Sequence, residues 1–184
     1  MKNKYVDIVR QVVKPMRDKI ALSAARAVLR LVDDTVPLQA VQAEVLNGEV
    51  RDRVERLQNY GFSSVPLDGC RALVIFPGGD RSSGVAVATD DIRYRKKGLQ
   101  AGEVAVYSDS GDYILLKQGG GIEITTEKAV TINAPEGIAV NSENGVTVSA
   151  PSVNVANGDV IASGISLKNH PHTGCQGGST GGPN

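Results

Sequence analysis

The sequence predicts a mainly β protein: an N-terminal helix, a small barrel, and then an intertwined trimeric β-helix or β-prism. Three patterns predict this fold class: an apolar repeat every eight residues, an amphipathic stripe near the N-terminus, and a hairpin-rich segment between them. The repeat carries the most information, because an internal period restricts the fold before any other pattern is considered.

The repeat runs from Ala105 to Ser152 as six octads, AVYSDSGD, YILLKQGG, GIEITTEK, AVTINAPE, GIAVNSEN and GVTVSAPS. Their second positions are Val106, Ile114, Ile122, Val130, Ile138 and Val146, and their fourth positions are Ser108, Leu116, Ile124, Ile132, Val140 and Val148. Alternate residues of a strand share a face. Each octad therefore predicts a short strand with inward apolar side chains, followed by turn and polar residues.

The octad length also predicts how the strands assemble. Eight residues are too few to close a single-chain coil, because common solenoid repeats need about 20 residues or more. Three chains that each contribute one octad would close a prism, with each strand paired to a neighbouring chain and the apolar residues stacked along the axis. We therefore expect a homotrimer. The alternative is one β-sandwich with regular hairpins, and six octads in unbroken register argue against it.

Composition excludes several classes of protein. The chain has 184 residues and a formal charge of zero, and without a basic stripe it has little support as a nucleic-acid binder. Two Phe, five Tyr and no Trp suit a thin axial core better than a thick globular one. Cys70 and Cys175 do not make a disulfide framework. The absence of a long apolar run and of a signal peptide predicts synthesis as a soluble protein in a cytoplasm.

Residues 1–36 are predicted to be a helical attachment segment. An apolar stripe with steps of three and four residues runs from Lys4 to about Asp34, and Pro15 should interrupt or kink that helix. The stripe consists of Val6, Val9, Val13, Met16, Ile20, Ala24, Ala27, Val28 and Leu31. Two interpretations stay open: a helix packed on the neighbouring domain, or an arm that attaches the chain to a partner.

Residues 37–92 are predicted to be a small barrel of short strands. Asn47-Gly48 is a hairpin turn signal, and CRALVIF, residues 70–76, fits a buried strand. PGGDRSSG, which follows, lacks the order of a phosphate-binding loop and precedes no helical pattern, so it is predicted to be a turn.

The remaining chain divides into a connector at 93–104, a spike shaft at 105–168 and an apex at 169–184. The connector has four basic residues, Arg93, Arg95, Lys96 and Lys97, and we expect them to form a solvated surface instead of a nucleic-acid site.

His170 and His172 are the only histidines of the protein, and they form an H-P-H motif where the repeats end. In an extended segment both rings share a face, so a trimer would bring six imidazoles around its axis. Tetrahedral zinc would use only four of them, which favours iron(II) or another octahedral ion. Such an ion would stabilise the tip against unfolding. The alternative is an ordinary exposed pair.

Enzymatic interpretations have little support. Cys175 near His172 suggests a thiol nucleophile and a base, but no orienting carboxylate lies nearby. Asp33-Asp34 and Asp90-Asp91 lie at predicted element ends, where caps and turns explain them. A hexapeptide-repeat acyltransferase would need a six-residue period, which this chain lacks. The sequence therefore predicts a protein that is not an enzyme.

Three stretches resemble the baseplate assembly protein V family, the central tail spikes of contractile-tailed phages, and most closely the Mu-like spikes. They are LQNYGFSSVPLDGCRALVIFPGGDRSSGVAVATDD, IRYRKKGLQAGEVAVYSDSGDYILLK and the terminal HPHTG. The resemblance implies an oligonucleotide/oligosaccharide-binding-like (OB-like) barrel, then a trimeric β-helix with a pointed apex. It also implies one iron ion held by His170 and His172 of three chains. Calcium and chloride are implied too, but no residues here match them.

The function implied is that of a structural virion protein at the distal tip of the tail baseplate, made in the host cytoplasm. It would pierce the host outer membrane mechanically during tail contraction and genome ejection, with hub proteins bound through its N-terminal region. The chain carries no lysozyme-like domain, which implies a purely mechanical role. The alternatives are a trimeric surface-binding fibre, for which the repeat offers few aromatics beyond Tyr107 and Tyr113, and a His-metal hydrolase, which needs an open coordination site.

Overall fold

The computed structural model describes residues 4–46 and 48–172. It divides into two compact units, Met1–Thr131 and Ile132–Asn184, which are taken separately below. Within the described residues one α-helix precedes ten β-strands, so the predicted mainly β class with an N-terminal helix is confirmed. Residues 173–184, which include Cys175 and most of the predicted apex, lie outside the described residues.

Helix α1 spans Lys4–Ala21 and contains Pro15. The Ser23 hydroxyl donates to the Ile20 carbonyl at 2.7 Å just after the helix ends. The expectation of a helix to about Asp34 is wrong beyond Ala21, since Ala24–Asp33 forms the first strand. No helix among the described residues is long and apolar enough to cross a membrane.

Strand β1 explains the error in the helix prediction. Buried Ala27 and Leu29 alternate with exposed Arg26 and Arg30, the two-residue period of a strand with one face in a core. The apolar residues of this segment also fit helical spacing, and packing decides between two patterns that the local sequence allows.

Five strands form a closed barrel in the order β1-β2-β3-β5-β4, with β4 pairing back to β1. They are β1 Ala24–Asp33, β2 Ala40–Leu46, β3 Glu49–Arg56, β4 Arg71–Ile75 and β5 Val85–Asp90. All neighbours are antiparallel except β3 and β5, which run parallel. The barrel therefore begins at Ala24, inside the segment assigned above to residues 1–36, and not at residue 37.

The barrel core is built from small and medium side chains around one aromatic ring. Phe76, Leu29, Val41 and Val74 are its largest fully buried side chains. Gly84 lies against this ring, because a Cβ there would come within 2.9 Å of Phe76. The residue that precedes β5 must therefore be glycine for the ring to fill the barrel at normal packing density.

PGGDRSSG forms a turn, as predicted. Pro77–Gly79 is a short 3-10 helix, and Gly79 has a φ of +76°. A Cβ at Gly79 would lie 2.7 Å from the Lys19 carbonyl oxygen, so glycine is required both for the backbone conformation and for contact with the end of α1.

Arg56 is buried in the barrel, with 8% of its surface exposed. Its guanidinium donates to the Gln39 side chain at 2.7 Å, to the Ser64 carbonyl at 2.7 Å and to the Thr89 hydroxyl at 3.0 Å. Burial lowers the pKa of Arg56 from its ordinary value. Gln58 in turn accepts the Ser64 N–H at 2.7 Å. The network fastens the loop after β3 to strands β2 and β5.

Short strands continue beyond the barrel. The first unit contains β6 Val104–Tyr107, β7 Tyr113–Leu116 and β8 Ile122–Thr125, and the second contains β9 Ile161–Ala162 and β10 Ile165–Ser166. Strands β6 to β8 form one antiparallel meander within the chain. The expectation that every octad strand pairs with a neighbouring chain is therefore wrong for β7, whose two edges pair with β6 and β8 of the same chain, while β6 and β8 each keep one edge outside this sheet.

Replacing Arg56 by alanine should destabilise the barrel by about 3 kcal/mol, because hydrogen bonds to a charged donor are lost and buried acceptors are left unsatisfied. Hydrogen exchange of peptides from residues 24–90, measured by mass spectrometry, would report the change. Arg26→Ala is the matched control. Arg26 is exposed, and its side chain has no hydrogen bond or ion pair within the described residues, so its truncation should change stability by at most about 0.5 kcal/mol. Equal protection in both variants would contradict the role given to Arg56.

Candidate functional site

The meander has one entirely apolar face. Val106 pairs with Ile114 and Val104 pairs with Leu116 across β6 and β7. Ile114 pairs with Ile124 and Leu116 with Ile122 across β7 and β8. Directly paired residues lie on the same face of a sheet. The predicted alternation is confirmed for the second and fourth positions of octads two and three and for Val106 of the first octad, whereas Ser108, the fourth position of that octad, lies beyond the end of β6.

The apolar face is uncovered within one chain. Ile122 and Ile124 are 69% and 62% exposed, and even Ile114 in the central strand is 44% exposed. A contiguous apolar surface of this kind is typical of a protein–protein interface. The face is therefore a candidate contact surface for other chains.

The opposite face of the meander is mixed: Leu115 pairs with Ala105 and with Glu123 on this side, and the polar groups of this face have partners. Glu123 accepts a hydrogen bond from the Tyr113 hydroxyl at 2.7 Å and forms an ion pair with Lys117 at 2.5 Å. The Lys96 ammonium lies 3.4 Å from the centre of the Tyr113 ring, a cation–π contact that ties the connector to the sheet. The polar groups of this face therefore have their partners within the chain.

Octads four to six, residues 129–152, contain no strand, although all of these residues are described. Gly137 and Gly145 have φ values of +108° and +90°, and they mark turns that recur eight residues apart. One backbone hydrogen bond joins this segment to itself, from the Gly137 N–H to the Ala134 carbonyl at 3.0 Å. Peptide groups need partners when they are buried, so this segment has its ladder donors and acceptors available for another chain.

The apolar positions of these later octads are as exposed as those of the meander. Ile138 is 61% exposed and Val140 is 68% exposed. Because residues 126–160 supply no strand among the described residues, they provide no second sheet for the sandwich considered above. The repeat thus exposes apolar side chains and unpaired backbone groups. Association with other chains would bury the side chains and pair the backbone.

A small hairpin precedes the histidine pair. Strands β9 and β10 pair through Ile165 and Ala162, and Ser163 and Gly164 turn the chain with φ values of +49° and +82°. The Leu167 N–H donates to the Val160 carbonyl at 2.9 Å and closes the hairpin. The His170 N–H then donates to the Ser166 carbonyl at 3.1 Å. The first histidine is thus held one turn beyond the hairpin.

The structure brings His170 and His172 together. Their ring centres are 4.8 Å apart, with the planes at 73°. The Nδ1 atom of His170 lies 2.9 Å from the Ser166 carbonyl oxygen and 3.1 Å from that of Leu167. A carbonyl only accepts, so Nδ1 carries the proton and Nε2 keeps a lone pair that can bind a metal.

The donor set fits a metal shared between chains. Within the described residues of one chain, no group of three or more His, Cys, Asp or Glu side chains could hold an ion. Two imidazoles are too few for a stable site alone, while three copies would supply six nitrogen donors.

Asp159 and Ser166 also belong to the hairpin of β9 and β10, which we call the tip hairpin, and the sequence did not point to either residue. The Asp159 carboxylate accepts hydrogen bonds from the Ser166 hydroxyl and from the backbone N–H groups of Val160 and Lys168. These bonds lower the pKa of Asp159, and the bond from Ser166 has the largest effect. Asp before a short apolar run is a weak signal of such a turn, and the run is only VIASGIS.

The comparisons with known proteins agree with one another. Residues 26–93, nearly the whole barrel, match the family described as Bacteriophage Mu Gp45, N-terminal. The chain is 33% identical over 180 residues to the baseplate puncturing device gp45 of Escherichia phage Mu, covering 91% of each chain. It is also 32% identical over 177 residues to the Mu-like prophage FluMu protein gp45 of Haemophilus influenzae, covering 89% of this chain and 93% of that one.

The mixed face of the meander predicts a pH dependence. The Lys117 ammonium, followed by the Tyr113 and Thr125 hydroxyls, lowers the pKa of Glu123 from 4.5 to about 2. A lowered pKa in the folded state stabilises the fold above the ordinary value of 4.5 and loses this effect as the pH falls through about 2. In thermal unfolding, the midpoint temperature of wild type should therefore be higher than that of Glu123→Gln at about pH 6, and the difference should vanish near pH 2.

Glu127→Gln is the control for this measurement, because Glu127 is exposed on the same octad. A wild-type advantage over Glu123→Gln that stays constant down to about pH 2 would contradict the assignment.

Proposed function

The chain belongs to the bacteriophage Mu Gp45 family, and from this membership we propose that it is the central spike of a phage baseplate, which pierces the host outer membrane during tail contraction. It is a structural protein of the baseplate. The relative from phage Mu is named a baseplate puncturing device. The observation that carries the proposal is the uncovered apolar octad repeat.

The spike would be a homotrimer. The apolar face of β6 to β8, centred on Ile114, is exposed in one chain, and three such faces turned toward a common axis would form a closed core. The unpaired backbone of residues 129–152 would find its partners in the same assembly, where strands of neighbouring chains complete the ladders. Closure leaves no free edge.

A trimer of this kind has the mechanical properties that puncturing requires. Ladder bonds and a continuous axial core resist bending, and unfolding one chain means withdrawing it from two others. The kinetic stability should therefore be high. Nothing in this role needs catalysis, and we propose that the protein acts by rigidity alone at the distal tip of the baseplate.

The tip would hold one iron ion through His170 and His172 of the three chains. The ion would supply six coordinate bonds at a place where the apolar core is thin, and its binding would add to the stability of the folded tip. The Nδ1 atom of His170 is occupied by carbonyl groups, which supports Nε2 as its ligand atom. Calcium and chloride have no matching residues among those described.

The N-terminal region would join the spike to the baseplate hub. The α1 residues Ile8, Val12 and Met16 are 48%, 66% and 63% exposed, so an apolar helix face is available for a partner. Arg10, Lys14 and Arg17 are exposed on the same helix. An apolar stripe with basic neighbours fits a groove in a protein whose rim carries carboxylates.

Native mass spectrometry with elemental analysis should find three chains and one iron per particle in the full-length protein. His170→Ala should remove the metal and leave three chains together, because the octad core does not depend on the tip. A trimer without metal in the wild type would reduce the histidines to a surface pair. A monomer that carries one metal would contradict the spike and favour the hydrolase alternative.

A charge placed on the apolar face should prevent assembly. Ile124→Lys would bring three ammonium groups into the shared core, where burial of an unpaired charge is strongly unfavourable. The SDS-resistant trimer expected for the wild type should be lost on an unheated gel. Thr125→Lys, the neighbouring residue on the opposite face, should keep it. If Ile124→Lys migrates as the wild-type trimer does, the proposed core is wrong.

A further inference from the structure

We propose that Asp159 and Ser166 are positioning residues that hold the His170 ring in its Nδ1–H form and so present Nε2 to a metal ion. The inference rests on the metal site proposed above and assigns it the side chains that orient one ligand. It is carried by a chain of hydrogen bonds that runs from the Asp159 carboxylate, through Ser166, to the imidazole.

Asp159 fastens both ends of the tip hairpin. Its Oδ1 atom accepts the Val160 N–H at 2.8 Å and the Lys168 N–H at 3.0 Å. Its Oδ2 atom accepts the Ser166 hydroxyl. One carboxylate thus binds the residue before β9, the second residue after β10 and a side chain within β10. Hydrogen bonds to a charged acceptor are among the strong ones, so the ends of the hairpin are held in register.

Ser166 links the Asp159 carboxylate to His170. Its hydroxyl oxygen accepts the Asn169 N–H at 2.8 Å while the hydroxyl hydrogen goes to Asp159. Its carbonyl oxygen accepts both the His170 N–H at 3.1 Å and the His170 Nδ1–H at 2.9 Å. Ser166 therefore fixes the turn from Leu167 to Asn169 at both ends, and its carbonyl, together with the Leu167 carbonyl at 3.1 Å, orients the imidazole.

The orientation matters for metal binding because a neutral imidazole has one N–H and one lone pair. A ring free in solution distributes its proton over both nitrogens, and a metal must then select the form with the lone pair on the ligand atom. A carbonyl that holds Nδ1–H makes this selection in advance. Partners that orient a metal-binding histidine in this way typically contribute a factor of about 10 to 100 in metal affinity.

A purely structural role for the same network is the alternative to test. If Asp159 only closes the hairpin, its removal would loosen the tip without changing which nitrogen of His170 carries the proton. The protonation state of each ring nitrogen in the metal-free protein therefore separates the two roles, independently of any metal.

The experiment uses the full-length protein labelled with ¹⁵N-histidine and freed of metal with a chelator. The chain has two histidines, so two sets of ring-nitrogen signals are expected at a pH where both rings are neutral, and His172→Gln assigns them. Wild type should show His170 with a protonated Nδ1. Ser166→Ala and Asp159→Asn should show a mixture of both forms, while Ser166→Thr, which keeps the hydroxyl, should restore the wild-type spectrum.

The same proteins are then titrated with iron(II) alone under anaerobic conditions. Ser166→Ala and Asp159→Asn should bind it about 10- to 100-fold more weakly than wild type. Ser152→Ala, an exposed serine of the same unit, should bind it as wild type does. Asp159→Asn keeps an oxygen for the two backbone N–H groups, so it tests the link to Ser166 even if Ser166→Ala disrupts the hairpin.

The outcomes distinguish this inference from the metal site itself. A wild-type His170 ring with its proton on Nε2 overturns the inference. It is also overturned if both variants, Ser166→Ala and Asp159→Asn, keep a protonated Nδ1 and bind iron(II) as tightly as wild type. If wild type binds no iron(II) and still has a protonated Nδ1 that both variants lose, the metal proposal fails while the positioning of the ring stands.

Discussion

The structure depends on one constraint: a repeat of eight residues, with a strand of about four, cannot bury its own apolar side chains. Each octad offers two inward positions, and full burial of one Ile, Val or Leu stabilises a fold by about 1.5–3 kcal/mol. Within one chain the first three octads form a meander whose apolar face stays exposed, and octads four to six form no strand. In the proposed trimer these apolar side chains would be buried by the other two chains, so most of the favourable free energy of the repeat would come from assembly.

The barrel, in contrast, buries its apolar core within a single chain. Its five strands close on themselves, and the one buried guanidinium, that of Arg56, is surrounded by acceptors within the same chain. A closed sheet has no edge to protect. Self-sufficient and association-dependent parts thus stand side by side in one sequence. This division would suit the proposed spike, because the barrel can fold without waiting for the other chains.

Sequence patterns predicted the parts of this fold in which one period dominates. The octads gave the shared face of Val106, Ile114 and Ile124 correctly, because the side-chain period of a strand is two residues and needs no knowledge of partners. The segment Ala24–Asp33 was misassigned, since its apolar residues fit both a helix and a strand and only closure of the barrel decides between them. Pairing of the first three octads within one chain was also missed, because strand partners are set by turn geometry and not by periodicity.

The hairpin before the histidine pair shows why a candidate ligand pair is easier to find in a sequence than the residues that orient it. Two histidines two residues apart stand out in a chain with no others, whereas Asp159 reaches Ser166 and Lys168 only through the fold of a hairpin with two-residue strands. That hairpin is local in sequence, so each chain can order its own His170 before it meets another chain. A ligand ordered in advance loses less conformational freedom when the metal binds. In the proposed trimer the shaft would form only when three chains meet, whereas the hairpin that orients His170 forms within one chain, and a metal would then bind ligands that are already oriented.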